Sequence, residues 1–133
     1  MAIPSVGGGY QIGDGNINET PLSIQPAPQT ATVTATLTAA QITGGIIVAD
    51  TGTTAATLTL PTVALLEAQL TNAKVNSSFD LAIVNVGTSS GTITMAVGTG
   101  WTITGLATVT YTTSASFRAR KTGTGTWTLY RLT

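Results

Sequence analysis

The stretch TITMAV, residues 92–97, alternates hydroxyl-bearing and apolar side chains. Successive side chains of a β-strand point to opposite faces of a sheet, so this period of two predicts a half-buried strand. Regular short strands with glycine-rich turns follow from residue 31 and predict an all-β sandwich or barrel of about eight strands. The predicted strands are ATVTATL (31–37), GGIIVAD (44–50), ATLTLP (56–61), FDLAIVNV (79–86), TITMAV (92–97), TVTY (108–111), SASFRARK (114–121) and TWTLYRL (126–132).

The alternation also selects the residues that should fill the core. In the first strand it places Val33, Ala35 and Leu37 on one face. In the later strands it predicts that seven large side chains are buried together, namely Phe79, Leu81, Ile83, Met95, Val97, Phe117 and Trp127.

One segment departs from the strand pattern. In PTVALLEAQLTNAK, Val63, Leu66 and Leu70 recur at helical spacing, and Thr62 is of a residue type that caps helix N-termini. The sequence therefore predicts one short helix over about residues 63–71. A single helical turn is also considered for LTAAQIT, before the GGIIVAD strand.

Residues 1–30 have a different composition from residues 31–133. Glycines crowd the first half of this segment, prolines punctuate the second, and no strand or helix period persists. Apolar side chains are nevertheless spread through it, and the interface candidates among them are Tyr10, Ile12, Ile17 and Leu22. The sequence predicts an extended N-terminal arm at residues 1–30 ahead of a β-sandwich domain at 31–133. The arm is either a partly ordered tail or a segment that docks on its own domain or on a neighbour.

Charged residues make up only 8% of the 133-residue chain, and five acidic residues balance five basic ones. We therefore expect no electrostatic attraction to nucleic acid or to an anionic membrane. Histidine and cysteine are absent, and nothing in the sequence pairs the carboxylates. The loop GDGNINE resembles a calcium loop at Asp14, Asn16 and Asn18 but has glutamate where that motif needs glycine. We expect no enzyme, no cofactor, no catalytic residue and no metal site.

The motif RARK, residues 118–121, is the only dense cluster of charge. Arg118 and Arg120 should share one face of a strand, and Arg131 in the last strand is near in pairing order. These three arginines are interface candidates, either as a solvated face or as a clamp for carboxylates of a partner protein.

Two long stretches, residues 20–49 and 81–117, contain no charge, and threonine is the commonest residue. Proteins normally protect the edges and flanks of sheets with charged side chains, since unpaired edges aggregate. Threonine-rich faces can pack against another protein without desolvating an ion. The composition therefore favours an assembled structural protein over an enzyme, although adhesins share it.

Three stretches resemble structural proteins of tailed bacteriophages, cyanobacterial phages included. They are GGGYQIGDGNINE (7–19), LTAAQITGGIIVADTGTTAATLTLPTVALLEAQLTNAKVNSSFDLAIVNVG (37–87) and SFRARKTGTGTWTLYRL (116–132). The chain is similar to capsid cement, or decoration, proteins. This resemblance implies a jelly-roll-like β-sandwich, often trimeric, that sits on the outer shell and clamps neighbouring major capsid proteins. It supplies no active-site residues.

The leading expectation is thus a virion structural protein, made in the host cytoplasm, that stabilises the exterior of a capsid. Its expected partners are the major capsid protein and further copies of itself in a homotrimer, with no nucleic acid and no membrane. The alternative is a receptor- or carbohydrate-binding β module of a tail or head fibre. Trp101, next to Gly100 in a turn-rich region, is the candidate platform for such a ligand.

Overall fold

The computed structural model describes residues 22–133, which form ten strands and two short helices. The β-rich class is confirmed, with two more strands and one more helix than predicted. The elements are β1 (Gln29–Ala31), β2 (Ala35–Thr36), α1 (Ala39–Thr43), β3 (Ile46–Ala49), β4 (Ala56–Thr59), α2 (Val63–Gln69), β5 (Ser78–Asn85), β6 (Ile93–Ala96), β7 (Trp101–Thr104), β8 (Thr108–Val109), β9 (Ser114–Gly123) and β10 (Thr126–Arg131).

The strands form a large sheet in the order β1-β3-β5-β9-β10-β7 and a small sheet in the order β2-β4-β6-β8. From β1 to β8 the chain alternates between the two sheets, so strands that neighbour each other in a sheet are often parallel. The pairs β1–β3, β3–β5, β2–β4, β4–β6 and β7–β10 are parallel. Jelly-roll strands pair antiparallel, so this wiring gives the jelly-roll expectation no support.

The first predicted strand, residues 31–37, is divided between the two sheets. Its start belongs to β1 and its end to β2, with a bend between them. Val33 lies in that bend and is 65% exposed, so its predicted inward position is wrong. Ala35 is exposed as well, whereas Leu37 is buried as expected. The cause is tertiary, because one straight strand cannot hydrogen-bond to β3 in one sheet and to β4 in the other.

Both sheets and both helices contribute to one buried hydrophobic cluster. Of the predicted core, Leu81, Ile83, Met95, Phe117 and Trp127 are buried, and Phe79 packs partly buried against them. The prediction for Val97 is wrong, since this side chain is 45% exposed. The strand β6 ends one residue earlier, and at Gly98 a Cβ would lie 2.6 Å from the Leu60 carbonyl oxygen. That close approach requires glycine, and it turns the chain out of the sheet.

Both helices place buried residues in the core. In α2 the Thr62 hydroxyl accepts a hydrogen bond from Leu65 N, so the predicted cap is confirmed and the predicted span nearly so. The single turn considered around residue 40 is the helix α1, whose Thr38–Gln41 capping box satisfies two backbone donors. The two helices are joined by a 2.9 Å hydrogen bond from Gln69 to the Thr43 hydroxyl.

Candidate interaction surfaces

Charge is distributed unequally between the two sheets. The charged residues found in strands all belong to the large sheet: Asp80 in β5, Arg118, Arg120 and Lys121 in β9, and Arg131 in β10. The strands of the small sheet carry no charged residue. The two outward surfaces therefore differ in the ligands that they can accept.

We call the outward side of the large sheet around Asp80, Arg118, Arg120 and Tyr130 the charged face. Arg118 and Asp80 are direct neighbours in the β5–β9 register. Arg118 Nε lies 2.7 Å from Asp80 Oδ1, and Nη2 lies 3.2 Å from Oδ2, which is a bidentate pair. The hydrogen bonds from Arg118 lower the pKa of the Asp80 carboxyl, against a weaker opposing effect of burial. The pair thus neutralises itself at the surface.

Arg120 is also engaged within its own chain. Its Nη1 donates to Asn76 Oδ1 at 2.7 Å, and its Nη2 donates to the Tyr130 hydroxyl at 3.0 Å. The guanidinium carbon lies 5.8 Å from the centre of the Tyr130 ring, within cation–π distance. Arg118 and Arg120 do share one face, as the sequence predicted, but both have partners already.

Arg131 does not join the other two arginines, and the predicted three-arginine patch is wrong. Arg131 stands opposite the buried Phe117 in the β9–β10 register, which places it on the inner side of the sheet. Its guanidinium carbon lies 5.6 Å from the Phe117 ring, and its Nη1 donates to the carbonyls of Leu106 and Thr108. Arg131 therefore fastens the loop between β7 and β8 rather than facing a partner.

We call the outward side of the small sheet the threonine face. Two rows of cross-strand neighbours build it, because the outward positions of β2, β4, β6 and β8 fall in register. Inward-facing Leu58, Ile93 and Met95 alternate with these outward residues and are buried. The rows are Thr36–Thr59–Ala96 and Thr57–Thr94–Thr108. The face offers hydroxyl and methyl groups and no ion.

A partly buried ion pair that sequence reasoning missed lies on the inner side of the large sheet. Lys121 Nζ contacts Glu67 Oε1, and the Trp127 indole N–H donates to the same oxygen at 3.1 Å. Hydrogen bonds from Lys121 and Trp127 lower the pKa of the Glu67 carboxyl, and partial burial opposes that effect. A signal was present in the sequence, since Lys121 continues the inward series Ala115, Phe117, Ala119. The pair ties α2 to β9 and β10.

Trp101 is not the ligand platform that the sequence suggested. The residue begins β7, which runs parallel to β10, and its ring is only 6% exposed. Its indole N–H donates to the Pro61 carbonyl at 2.8 Å, and its ring lies 5.9 Å from that of Trp127. Trp101 is a core residue because it belongs to β7, a strand that the sequence pattern did not predict.

A cavity of about 340 Å³ lies where the segment after α2 meets the start of β5. Its walls combine the apolar side chains of Phe79, Leu70 and Ala73 with neutral polar groups. Among the latter, the side chains of Asn72 and Ser78 make no hydrogen bond to the described residues. None of the described residues that line this cavity is charged.

The structure describes only the last part of the predicted arm. Tyr10, Ile12 and Ile17 lie outside the described residues. Leu22 and Ile24 are 89% and 96% exposed, in a segment that belongs to no helix or strand. Gln25 fixes the base of this segment, because its Nε2 donates to the Gly44 carbonyl at 2.6 Å. The strand β1 begins at Gln29, so the predicted boundary at residue 30 falls inside the first strand.

Among residues 22–133 there is no group of three or more His, Cys, Asp or Glu side chains placed to hold a metal ion. Neither of the two helices has the length and apolarity needed to cross a membrane. Comparison with protein-family models, with curated proteins and with solved structures found no match. The resemblance to phage decoration proteins accordingly stays a prediction.

Proposed function

We propose that this protein is a structural component of a tailed-phage virion that binds the outside of the capsid and stabilises the shell. The observation that carries the proposal is the threonine face, an outward sheet surface without a single charged side chain. The similarity of three sequence stretches to capsid decoration proteins supplies the class of partner, the major capsid protein.

Physical chemistry supports the threonine face as the contact surface. Removing an ion from water costs far more than removing a hydroxyl, which regains a hydrogen bond from a neighbouring backbone or side chain. A face of threonine hydroxyl and methyl groups can therefore be covered permanently at low cost. On the opposite surface, Arg118 and Asp80 already satisfy each other, so that surface suits contact with water.

The arrangement of the two sheets supports different roles for the threonine face and the charged face. We infer that the large and small sheets form a β-sandwich, since side chains from both meet in one core. A sandwich has two opposite outer faces, of which one can bind the shell while the other faces solvent. Three copies, closed by cyclic symmetry, would present three threonine faces to neighbouring capsid subunits.

Shell stabilisation would follow from mass action. A protein that binds the assembled shell more tightly than free capsid subunits raises the free energy of disassembly by its binding free energy. We expect the protein to co-sediment with purified shells of its phage and to raise the temperature at which they open. A protein that stays in the supernatant at saturating shell concentration would overturn the proposal.

The cavity beside Phe79 favours one alternative, a receptor- or carbohydrate-binding module of a fibre. Its neutral polar rim over an apolar floor is the usual make-up of a site for small neutral ligands. A glycan array tests it, with Asn72→Ala as the variant and Thr53→Ala, at an exposed position away from the cavity, as the control. A reproducible hit that only Asn72→Ala removes would favour this module, and an array without hits would remove it.

A further inference from the structure

Within residues 22–133 each sheet has two edge strands, and one of these four edges lacks the usual protection against pairing with another chain. Natural edges carry lysine, proline or inward-pointing charge, or are very short. None of these edges contains a charged residue or a proline. Three of them, β1, β2 and β8, have only two or three residues. The edge β7 has four residues, Trp101–Thr104, and is the longest template for an added strand.

The backbone of β7 identifies the groups that have no hydrogen-bond partner among residues 22–133. Trp127 N donates to the Gly100 carbonyl at 3.0 Å, and Trp127 is the register partner of Trp101. In a parallel ladder the bonding groups of one strand alternate in direction. The N–H and C=O of Thr102 therefore point to β10, whereas those of Ile103 point away from the sheet.

The described part of the arm has the complementary features. Leu22–Gln25 is uncharged and belongs to no helix or strand, and the apolar Leu22 and Ile24 alternate with Ser23 and Gln25, the period of a strand. Pro26 follows and cannot donate to a ladder, so the pairing segment is limited to about four residues. This length matches that of β7.

Distance excludes pairing within one chain. Gln25 is anchored at Gly44, just before β3, and three further strands separate β3 from β7 in the large sheet. Four strand spacings amount to about 19 Å. The three residues upstream of Gln25 reach at most about 10 Å. The segment Leu22–Gln25 can therefore meet a β7 edge only in another copy.

We propose that Leu22–Gln25 of one copy adds as a strand to the open edge of β7 in a neighbouring copy. Main-chain hydrogen bonds at Ile103 give the affinity, and the alternating side chains of the arm set the register. The contact is head-to-tail, so it closes into a ring only when the rotation between successive copies is a whole fraction of a full turn, one third of a turn for a trimer. This inference rests on the proposed assembly role of the protein and names the contact between copies.

Cysteine cross-linking tests the contact cleanly, because the chain contains no cysteine. An Ile24→Cys variant carrying a size tag is mixed with an untagged Thr102→Cys variant and treated with a short bis-maleimide. We expect a tagged–untagged cross-link at least tenfold faster than with an untagged Ser114→Cys variant, whose thiol is exposed on the large sheet away from β7. Equal rates for the two partners, or no cross-link at all, would overturn the inference.

A second pair of variants addresses the backbone directly. Ser23→Pro and Ile24→Pro each remove one N–H from the arm outside the folded strands, so the melting temperature should stay unchanged in both. Because successive N–H groups of a paired strand point to opposite sides, one of the two variants must lose a ladder hydrogen bond, and its self-association should weaken at least tenfold. Unchanged self-association in both variants would contradict strand addition. Shell co-sedimentation is measured in parallel. Shell binding without the cross-link would refute only this contact, and the cross-link without shell binding would refute only the proposed function.

Discussion

The charged face of the large sheet and the threonine face of the small sheet enclose the same core but differ in chemistry. On the charged face, Arg118 pairs with Asp80, and Arg120 pairs with Asn76 and Tyr130. On the threonine face, the outward positions are threonines and one alanine. Long charged side chains keep a sheet soluble and repel strands of other chains, whereas threonine does neither. In the proposed function, the charged face therefore faces solvent and the threonine face is the contact surface.

The substitution with the largest expected effect on the free energy of unfolding tests whether the two sheets share one core. Phe117→Ala removes a fully buried ring that packs between the sheets and under Arg131. We expect a loss of about 3–5 kcal/mol in the free energy of unfolding, in a single cooperative denaturant transition. Ser116→Ala, on the outer side of the same strand, is the control and should stay near wild type. Two separate transitions would mean that the sheets fold independently.

A smaller effect concerns the ion pair behind the charged face. Lys121→Met leaves the Glu67 carboxylate with only the Trp127 donor, and we expect a loss of about 1–3 kcal/mol at pH 7. The double variant Lys121→Met, Glu67→Gln should recover part of that loss, because no unpaired charge remains. Equal denaturation midpoints for all three proteins would show that the pair is energetically neutral.

The same pair predicts a pH dependence. The folded pKa of Glu67 lies below its ordinary value of 4.5, so its contribution to stability is complete above pH 4.5 and is lost as the pH falls through the folded pKa. The difference in unfolding free energy between wild type and Glu67→Gln should shrink from pH 6 to pH 3. Asp80 titrates in both proteins and cancels in this difference. A difference independent of pH would contradict the lowered pKa.

The smallest effect is expected on the charged face itself. Asp80 and Arg118 have side chains 65% and 51% exposed, and exposed pairs gain little from each other. Asp80→Asn should shift the melting temperature hardly at all and should not change self-association or shell binding. Arg118→Gln is the matched control for the other partner. A substantial loss of shell binding in either variant would make the charged face, rather than the threonine face, the contact surface.

Local patterns in the sequence were sufficient for much of the fold. The alternation from Ala115 to Ala119 predicted the inner and outer sides of β9, and Thr62 predicted the start of α2. These features depend on neighbours in the chain, which a period of two or a capping residue reveals.

The features that sequence reasoning missed depend on long-range pairing. Trp101 is buried because β7 lies beside β10, and Arg131 faces inward because its register partner is Phe117. The bend at Val33 exists because β1 and β2 belong to different sheets. The sequence predicted threonine-rich strand faces but not how they combine, since only the register of β4, β6 and β8 gathers Thr57, Thr94 and Thr108 into one row.

One matched pair of lysine substitutions tests directly whether the threonine face is the surface that binds the shell. Thr94→Lys places a charge in the middle of the threonine face, and Ser114→Lys places the same charge on the exposed outer side of the large sheet. Both proteins should fold, since a lysine at a partly exposed position extends its ammonium group to water. In co-sedimentation with purified shells, we expect Ser114→Lys to bind like wild type and Thr94→Lys to lose at least tenfold in affinity. Wild-type binding by a folded Thr94→Lys protein would contradict this expectation.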